Sequence, residues 1–166
     1  MPFKMQEQEQ TRWCWAAVSV SVEKYFFPTS TLTQCQLAKE VISDANADCC
    51  RNPDSCNGVA KLQDALHKIE ERAKASPIAL RFPDPSKPMS FFEVKAEIDS
   101  GMPVGVRMEW AGLGAHFLVI SGYWTLSGQK LLEIGDPLFG EGTVDFDWFS
   151  TSYFGGQWTH TFTMQA

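Results

Sequence analysis

The chain has 166 residues, a length that fits one domain with a full core. A net charge of −6 and a pI near 5.0 exclude a broad phosphate-binding surface, so no nucleic-acid partner is expected. No apolar run reaches the roughly 18–20 residues of a membrane helix, which leaves no membrane role to expect, and MPFKMQEQEQ lacks the apolar core of a signal peptide.

The first informative stretch is QEQTRWCWAA, residues 8–17, where Cys14 stands between Trp13 and Trp15 and is followed by Ala16 and Ala17. That is an odd start for a core helix and a sensible mount for a nucleophile. The thiolate is the reactive form of cysteine, and the positive end of a helix stabilises it. The two tryptophans are expected to shield the sulfur and to wall a substrate cleft. The next residues, 15–26, alternate Val18, Val20 and Val22 with serines, as a strand does, yet Trp15, Val18, Val22, Tyr25 and Phe26 fit a helical stripe equally well. Ala16, Ala17 and the stop at Pro28 favour helix.

Thr33 reads as the N-cap of a short helix through Leu37, Val41 and Ile42, and 44–58 as a loop. Leu62, Leu66, Ile69 and Ala73 mark an amphipathic helix within 59–74. Four prolines in 76–88 forbid helix there and allow one short strand, IALRF. Ser90 with Glu93 predicts a capping box for a helix over 91–100, ended by Gly101. The period then changes. Residues 104–110, 117–124, 130–134, 143–148 and 158–164 are strand-like, with Ser127–Gly128 turning a hairpin. The reading is a single α+β domain over 1–166, helical over about 13–100 and antiparallel β over about 101–166, with a cleft between the parts.

Cys35, Cys49, Cys50 and Cys56 lie within 22 residues. Vicinal Cys49 and Cys50 are too close along the chain to bridge each other, because a disulfide needs Cα atoms about 4.4–6.8 Å apart. Two pairings remain, 35–49 with 50–56 or 35–50 with 49–56, and Cys14 is left over. The spacing lacks the C-x₂₋₄-C knuckles of structural zinc, so no metal and no cofactor are expected. If bridged, the set implies an oxidising compartment.

A thiol nucleophile needs a base, a group that orients the base, and donors for the oxyanion. His67 lies among charged residues mid-helix and reads as solvated, whereas His160, in phase with Trp158 and Phe162, reads as a core residue. His116 follows Gly112, Gly114 and Ala115 and opens the apolar strand FLVISGY. Gly114 and Ala115 leave room for a substrate backbone. Asp136, in GDPLFG, ends the strand that the hairpin lays beside His116. It is expected to accept the ring Nδ1–H, with Phe139 covering that bond from water.

QEQTRWCWAA, GAHFLVISGY and IGDPLFGEG together resemble the papain-like cysteine proteases, in particular their bacterial branch of staphylococcal-type thiol proteases, plant-pathogen effector proteases and bacteriocin-leader peptidases. The resemblance implies a helical lobe against a half-barrel lobe, Cys14 as nucleophile, His116 as base and Asp136 as its orienter. It implies Gln8, six residues before Cys14, as oxyanion donor, with Gln6 and Gln10 as neighbours in register. Papain itself orients its histidine with Asn, and this chain offers Asp.

The expected function is a monomeric cysteine endopeptidase acting on protein or peptide substrates. Only 13 residues precede Cys14, so no propeptide is expected to restrain it. An unrestrained protease endangers its maker, which suggests a secreted or delivered effector or toxin with a cognate immunity protein. A thiol amidase or deamidase using the same residues, and a non-enzymatic module built on the cysteine cluster, are the alternatives. Trp13, Trp15 and the glycines before His116 suggest a narrow cleft that favours small residues at the cut.

Overall fold

A computed structural model describes residues 2–42 and 46–166. Helix α1 (Cys14–Phe26) is the element on which the rest is laid. Every residue from Cys14 to Glu23 is buried, which explains the mixed periodicity of its sequence. A helix covered on all sides needs apolar groups in every phase, so Val18, Val20 and Val22 look like a strand while lying in a helix. Its two buried serines return their hydroxyls to the preceding turn, Ser19 Oγ to the Trp15 carbonyl at 2.8 Å and Ser21 Oγ to that of Ala17 at 2.7 Å.

Helix α2 (Gln34–Val41) starts in the expected Thr33 capping box, closed by Gln36, and ends one residue short of Ile42. Of the loop expected over 44–58, residues 44 and 45 lie outside the described residues; the remainder contains a 3₁₀ turn at Pro53–Cys56. Helices α3 (Leu62–Ala73) and α4 (Phe91–Asp99) follow, the latter with the Ser90–Glu93 capping box and a left-handed Gly101 after it. The proline-rich segment between them forms no strand of its own. It exchanges backbone hydrogen bonds with the chain's last strand through Ser86–Thr161 and with the residues after that strand through Arg81–Gln165. An otherwise open sheet edge is thereby covered by a stretch that prolines keep from extending further.

The sheet is wholly antiparallel, in the order β4-β3-β2-β1-β5, from β1 (Val104–Trp110), β2 (Gly114–Leu126), β3 (Gln129–Asp136), β4 (Gly140–Asp145) and β5 (Gln157–Phe162). Its faces carry two cores. Phe117, Val119 and Phe162 join α1 and α3, while Val106, Leu118, Ile120 and Leu132 join α4 and α5 (Phe146–Ser152). Helix α5 corrects the strand expected over 143–148. Val144, Phe146 and Trp148 alternate as a strand would, but the Asp145 carboxylate accepts the Trp148 amide at 2.9 Å and caps a helix instead.

Strand β5 corrects the reading of His160 as a core residue. One extra residue bulges the β1–β5 ladder between Arg107 and Met108, so Trp158 faces one core, Phe162 the other, and His160 is exposed. His67 is exposed, as expected.

The disulfides are Cys35–Cys50 and Cys49–Cys56, and Cys14 is free. They stitch the loop before α3 onto α2, and that loop grips the start of α1. The Trp13 indole N–H donates to the Cys56 carbonyl at 2.8 Å and that of Trp15 to the Gly58 carbonyl at 3.1 Å. The Asn57 side chain accepts from the Arg12 amide at 3.0 Å and donates to Thr11 Oγ1 at 2.8 Å. Replacing the Cys49–Cys56 pair with serines is therefore expected to cost about 2–3 kcal/mol by the loop-entropy relation. Urea unfolding of the variant beside the wild type measures it.

Candidate active site

Cys14 is the first residue of α1, so its backbone N–H has no acceptor within the helix and its side chain sits at the positive end of the macrodipole. It lies on the floor of a cleft of about 880 Å³, between the helices and the open ends of β2 and β3. Trp15, Gly114, Ala115, His116 and Asp136 all line this cleft. Trp13 does not, which corrects its expected place in the cleft. As N-cap of α1 it turns inward, fully buried, because its N–H is taken by the Cys56 carbonyl. Leu113, Phe139 and Phe154 stand exposed on its walls.

His116 pairs with Met108 across the β1–β2 ladder. Residues 116 and 118 of β2 point to one face, and Ile134 and Asp136 of β3 point to the same face. The imidazole and the carboxylate therefore meet at the end of two neighbouring strands. His116 Nε2 lies 2.8 Å from Asp136 Oδ1. This is the other ring nitrogen from the Nδ1 expected, and it leaves Nδ1 free for another partner. Burial disfavours the imidazolium, but the hydrogen bonds and charges of Asp136 and of the Cys14 sulfur outweigh it and raise the His116 pKa to about 9.

Asp136 is 1% exposed and fully partnered. Its Oδ1 also accepts the Leu138 amide at 2.8 Å and the Phe139 amide at 3.4 Å. Its Oδ2 accepts the Tyr153 hydroxyl at 2.8 Å. The Asp-Pro turn and the contact to His116 are thus built on the same oxygen. Burial pushes the carboxyl pKa up, yet the His116 bond and charge, the Leu138 amide and Tyr153 bring it below the usual carboxylate value. Burial, with the charge of Asp136 next, pushes the Tyr153 phenol well above its ordinary value, so it stays a donor.

Tyr153 was not legible as a site residue in the sequence. It follows α5 (Phe146–Ser152), of which only residues 146–148 fall within the strand expected over 143–148, and no short motif marks it. Phe139, expected to shelter the His116–Asp136 bond, is 74% exposed; its amide and the buried Tyr153 ring close around the carboxylate instead.

Gln8 is not among the residues that line the cleft, but it is tied to the turn next to it. Its backbone N–H donates to the Pro137 carbonyl at 3.0 Å, tying the N-terminal segment to the turn after Asp136. Its Nε2 donates to the Gln10 carbonyl at 2.8 Å, and its Oε1 is buried without a hydrogen-bond partner. One amide hydrogen remains for a further acceptor. Gln6 is engaged elsewhere, its amide on Ser21 Oγ at 2.9 Å and its side chain on Gln34 at 3.3 Å.

The chain is similar to known peptidases in sequence and in fold. The family described as papain-like cysteine protease AvrRpt2 matches residues 1–154. A solved structure of a C39-like peptidase from Bacillus anthracis superposes with a TM-score of 0.57 at 15% identity, over 99% of this chain and 94% of that one. At that identity the likeness speaks to the fold. A sequence search of curated proteins finds no match. The family match spans most of the chain and includes every element around the cleft, so the chain belongs to the AvrRpt2 family of papain-like cysteine proteases.

Proposed function

We propose that the chain is an endopeptidase in which Cys14 is the nucleophile, His116 the general acid and base, Asp136 the orienter of His116, and Gln8 the oxyanion donor. One observation carries this reading: His116, held by a fully partnered, buried Asp136, lines the same large cleft as a free cysteine at a helix N-terminus, and the sulfur of that cysteine helps to raise the His116 pKa. The Cys14 thiolate attacks the peptide carbonyl and forms a C–S bond. The developing oxyanion accepts from the Cys14 backbone N–H and the spare hydrogen of Gln8 Nε2. His116 passes its Nδ1 proton to the leaving amine, and the C–N bond breaks. Water, deprotonated by His116, then hydrolyses the thioester. Trp15, Gly114 and Ala115 border the reacting centre and bind the substrate chain.

Gln8→Ala is expected to lower kcat by about 10²-fold with little change in KM, because an oxyanion donor acts on the transition state alone. Steady-state kinetics on a peptide substrate check this. If Gln6→Ala or Gln10→Ala produces the loss instead, the donor is misassigned.

The endopeptidase and the thiol amidase or deamidase share nucleophile, base and orienter. Mass spectrometry of treated proteins separates them. New N-termini support backbone hydrolysis, and a shift of about 1 Da on glutamine without a cut supports deamidation.

We propose further that the protein acts outside its producer as a monomeric effector or toxin, neutralised at home by a cognate inhibitor. The two disulfides support folding where thiols are oxidised. Co-purification from the producing cell tests the inhibitor; absence of any partner that suppresses hydrolysis would overturn it.

A further inference from the structure

The charge lining the cleft has the opposite sign to that of the protein. Against a net charge of −6, the charged residues that line the cleft, apart from His116 itself, are Arg12, Lys61, Arg107 and Asp136. Two of the four are already engaged. Asp136 is buried against His116, and Arg107 is held by Glu109 at 2.5 Å and Thr159 at 2.9 Å. Arg12 and Lys61 are exposed, and neither side chain makes an ion pair or hydrogen bond among the described residues.

Their placement is also unfavourable for the fold. Lys61 is the N-cap of α3 and makes no side-chain cap bond, while Arg12 directly precedes Trp13, the N-cap of α1. A cation at the N-terminus of a helix opposes the macrodipole, and α1 has no acidic residue in its first turn to compensate. Asp64, the acidic residue in the first turn of α3, does not line the cleft. Two helix N-termini and two free cations thus converge on one wall, where folding gains nothing from them.

Resting on the peptidase reading, we propose that this wall selects substrates carrying Asp or Glu side chains near the scissile bond, with Arg12 and Lys61 as the specificity-determining residues. The recognition is electrostatic and takes place at the exposed rim, so it acts through KM and on-rate and weakens with salt. An acidic polypeptide would otherwise be repelled by an acidic protein. A positive cleft steers it to the one place where it can be cut.

Digestion of a proteome-derived peptide library by the wild type, Arg12→Glu and Lys61→Glu tests this. The residues flanking each cut are tallied at low and at high salt. The wild type is expected to cut acidic sites about three- to tenfold more often than their frequency, an excess that high salt erodes. Both variants should shift the preference toward Lys and Arg at the same subsite. Equal use of acidic, neutral and basic sites by the wild type would overturn the inference while leaving the peptidase reading intact. So would an acidic preference that both variants retain, or a uniform drop in cutting of all peptides by the variants, which would assign the cations to Cys14 itself. A library left uncut by the wild type would sink the peptidase reading and this inference with it.

Discussion

His116→Ala is expected to lower kcat for peptide hydrolysis by at least about 10⁴-fold, close to the effect of removing Cys14 itself. In the proposed mechanism the two residues act as a unit: without the imidazolium the sulfur loses its counter-charge and the leaving amine its acid. The double substitution Cys14→Ala/His116→Ala should therefore be no worse than either alone. The fold should survive, because Asp136 keeps the Leu138 and Phe139 amides and the Tyr153 hydroxyl as donors. Stability should fall in a pH-dependent way. The His116 pKa is raised from 6.5 to about 9, so the protonated ring stabilises the fold fully below pH 6.5, and that contribution is lost as pH rises through about 9. Asp136 is lowered from 3.8, so its contribution is present above that value and is lost as pH falls below it. The pair thus supports the fold most between pH 3.8 and 6.5, and the destabilisation by His116→Ala should be largest there. Denaturant titrations of wild type and variant across pH measure it.

Asp136→Ala is expected to destabilise the protein by about 3–5 kcal/mol, the usual cost of removing one partner from a buried charged pair. It leaves His116 Nε2, the Leu138 amide and the Tyr153 hydroxyl without their acceptor in a buried site. Asp136→Asn is the gentler probe, because an amide oxygen can still accept from His116 and Leu138. What it removes is the charge that offsets burial of the imidazolium. The alkaline limb of kcat/KM, expected near pH 9 in the wild type from the His116 pKa, should move down toward 6.5 or below. At pH 8 the loss should exceed about tenfold, and at pH 5.5 it should be much smaller. A limb that stays near 9 in Asp136→Asn would mean that the carboxylate does not set the base.

What could be read from the sequence was what local chemistry decides. The capping boxes at Thr33 and Ser90 and the Ser127–Gly128 turn, with φ of 50° and 83°, are written in neighbouring residues. His116 and Asp136 were within reach because that hairpin fixes which strands adjoin. Beyond it, distant packing decides. A single bulge in β5 turned His160 out to solvent, and Asp145 ended a strand whose apolar alternation continued past it. Trp13 and Trp15 are nearly equivalent in sequence, yet the disulfide-bound loop takes both indole N–H groups and leaves only one ring on the cleft. Tyr153 meets Asp136 through the placement of α5, which no motif encodes. The choice of ring nitrogen on His116 depends on side-chain directions at two strand ends, which alternation alone does not resolve.

The proposed pairing of Cys14 as nucleophile with His116 as its base is tested most directly by alkylation of Cys14. The other four cysteines are paired, so iodoacetamide has a single thiol to label in the native protein. At pH 6 the wild type should be alkylated at least about tenfold faster than His116→Ala, since the protonated ring supports the thiolate. The gap should close as pH rises past about 9, where His116 loses its proton. Equal rates for the two proteins at pH 6 would contradict the account.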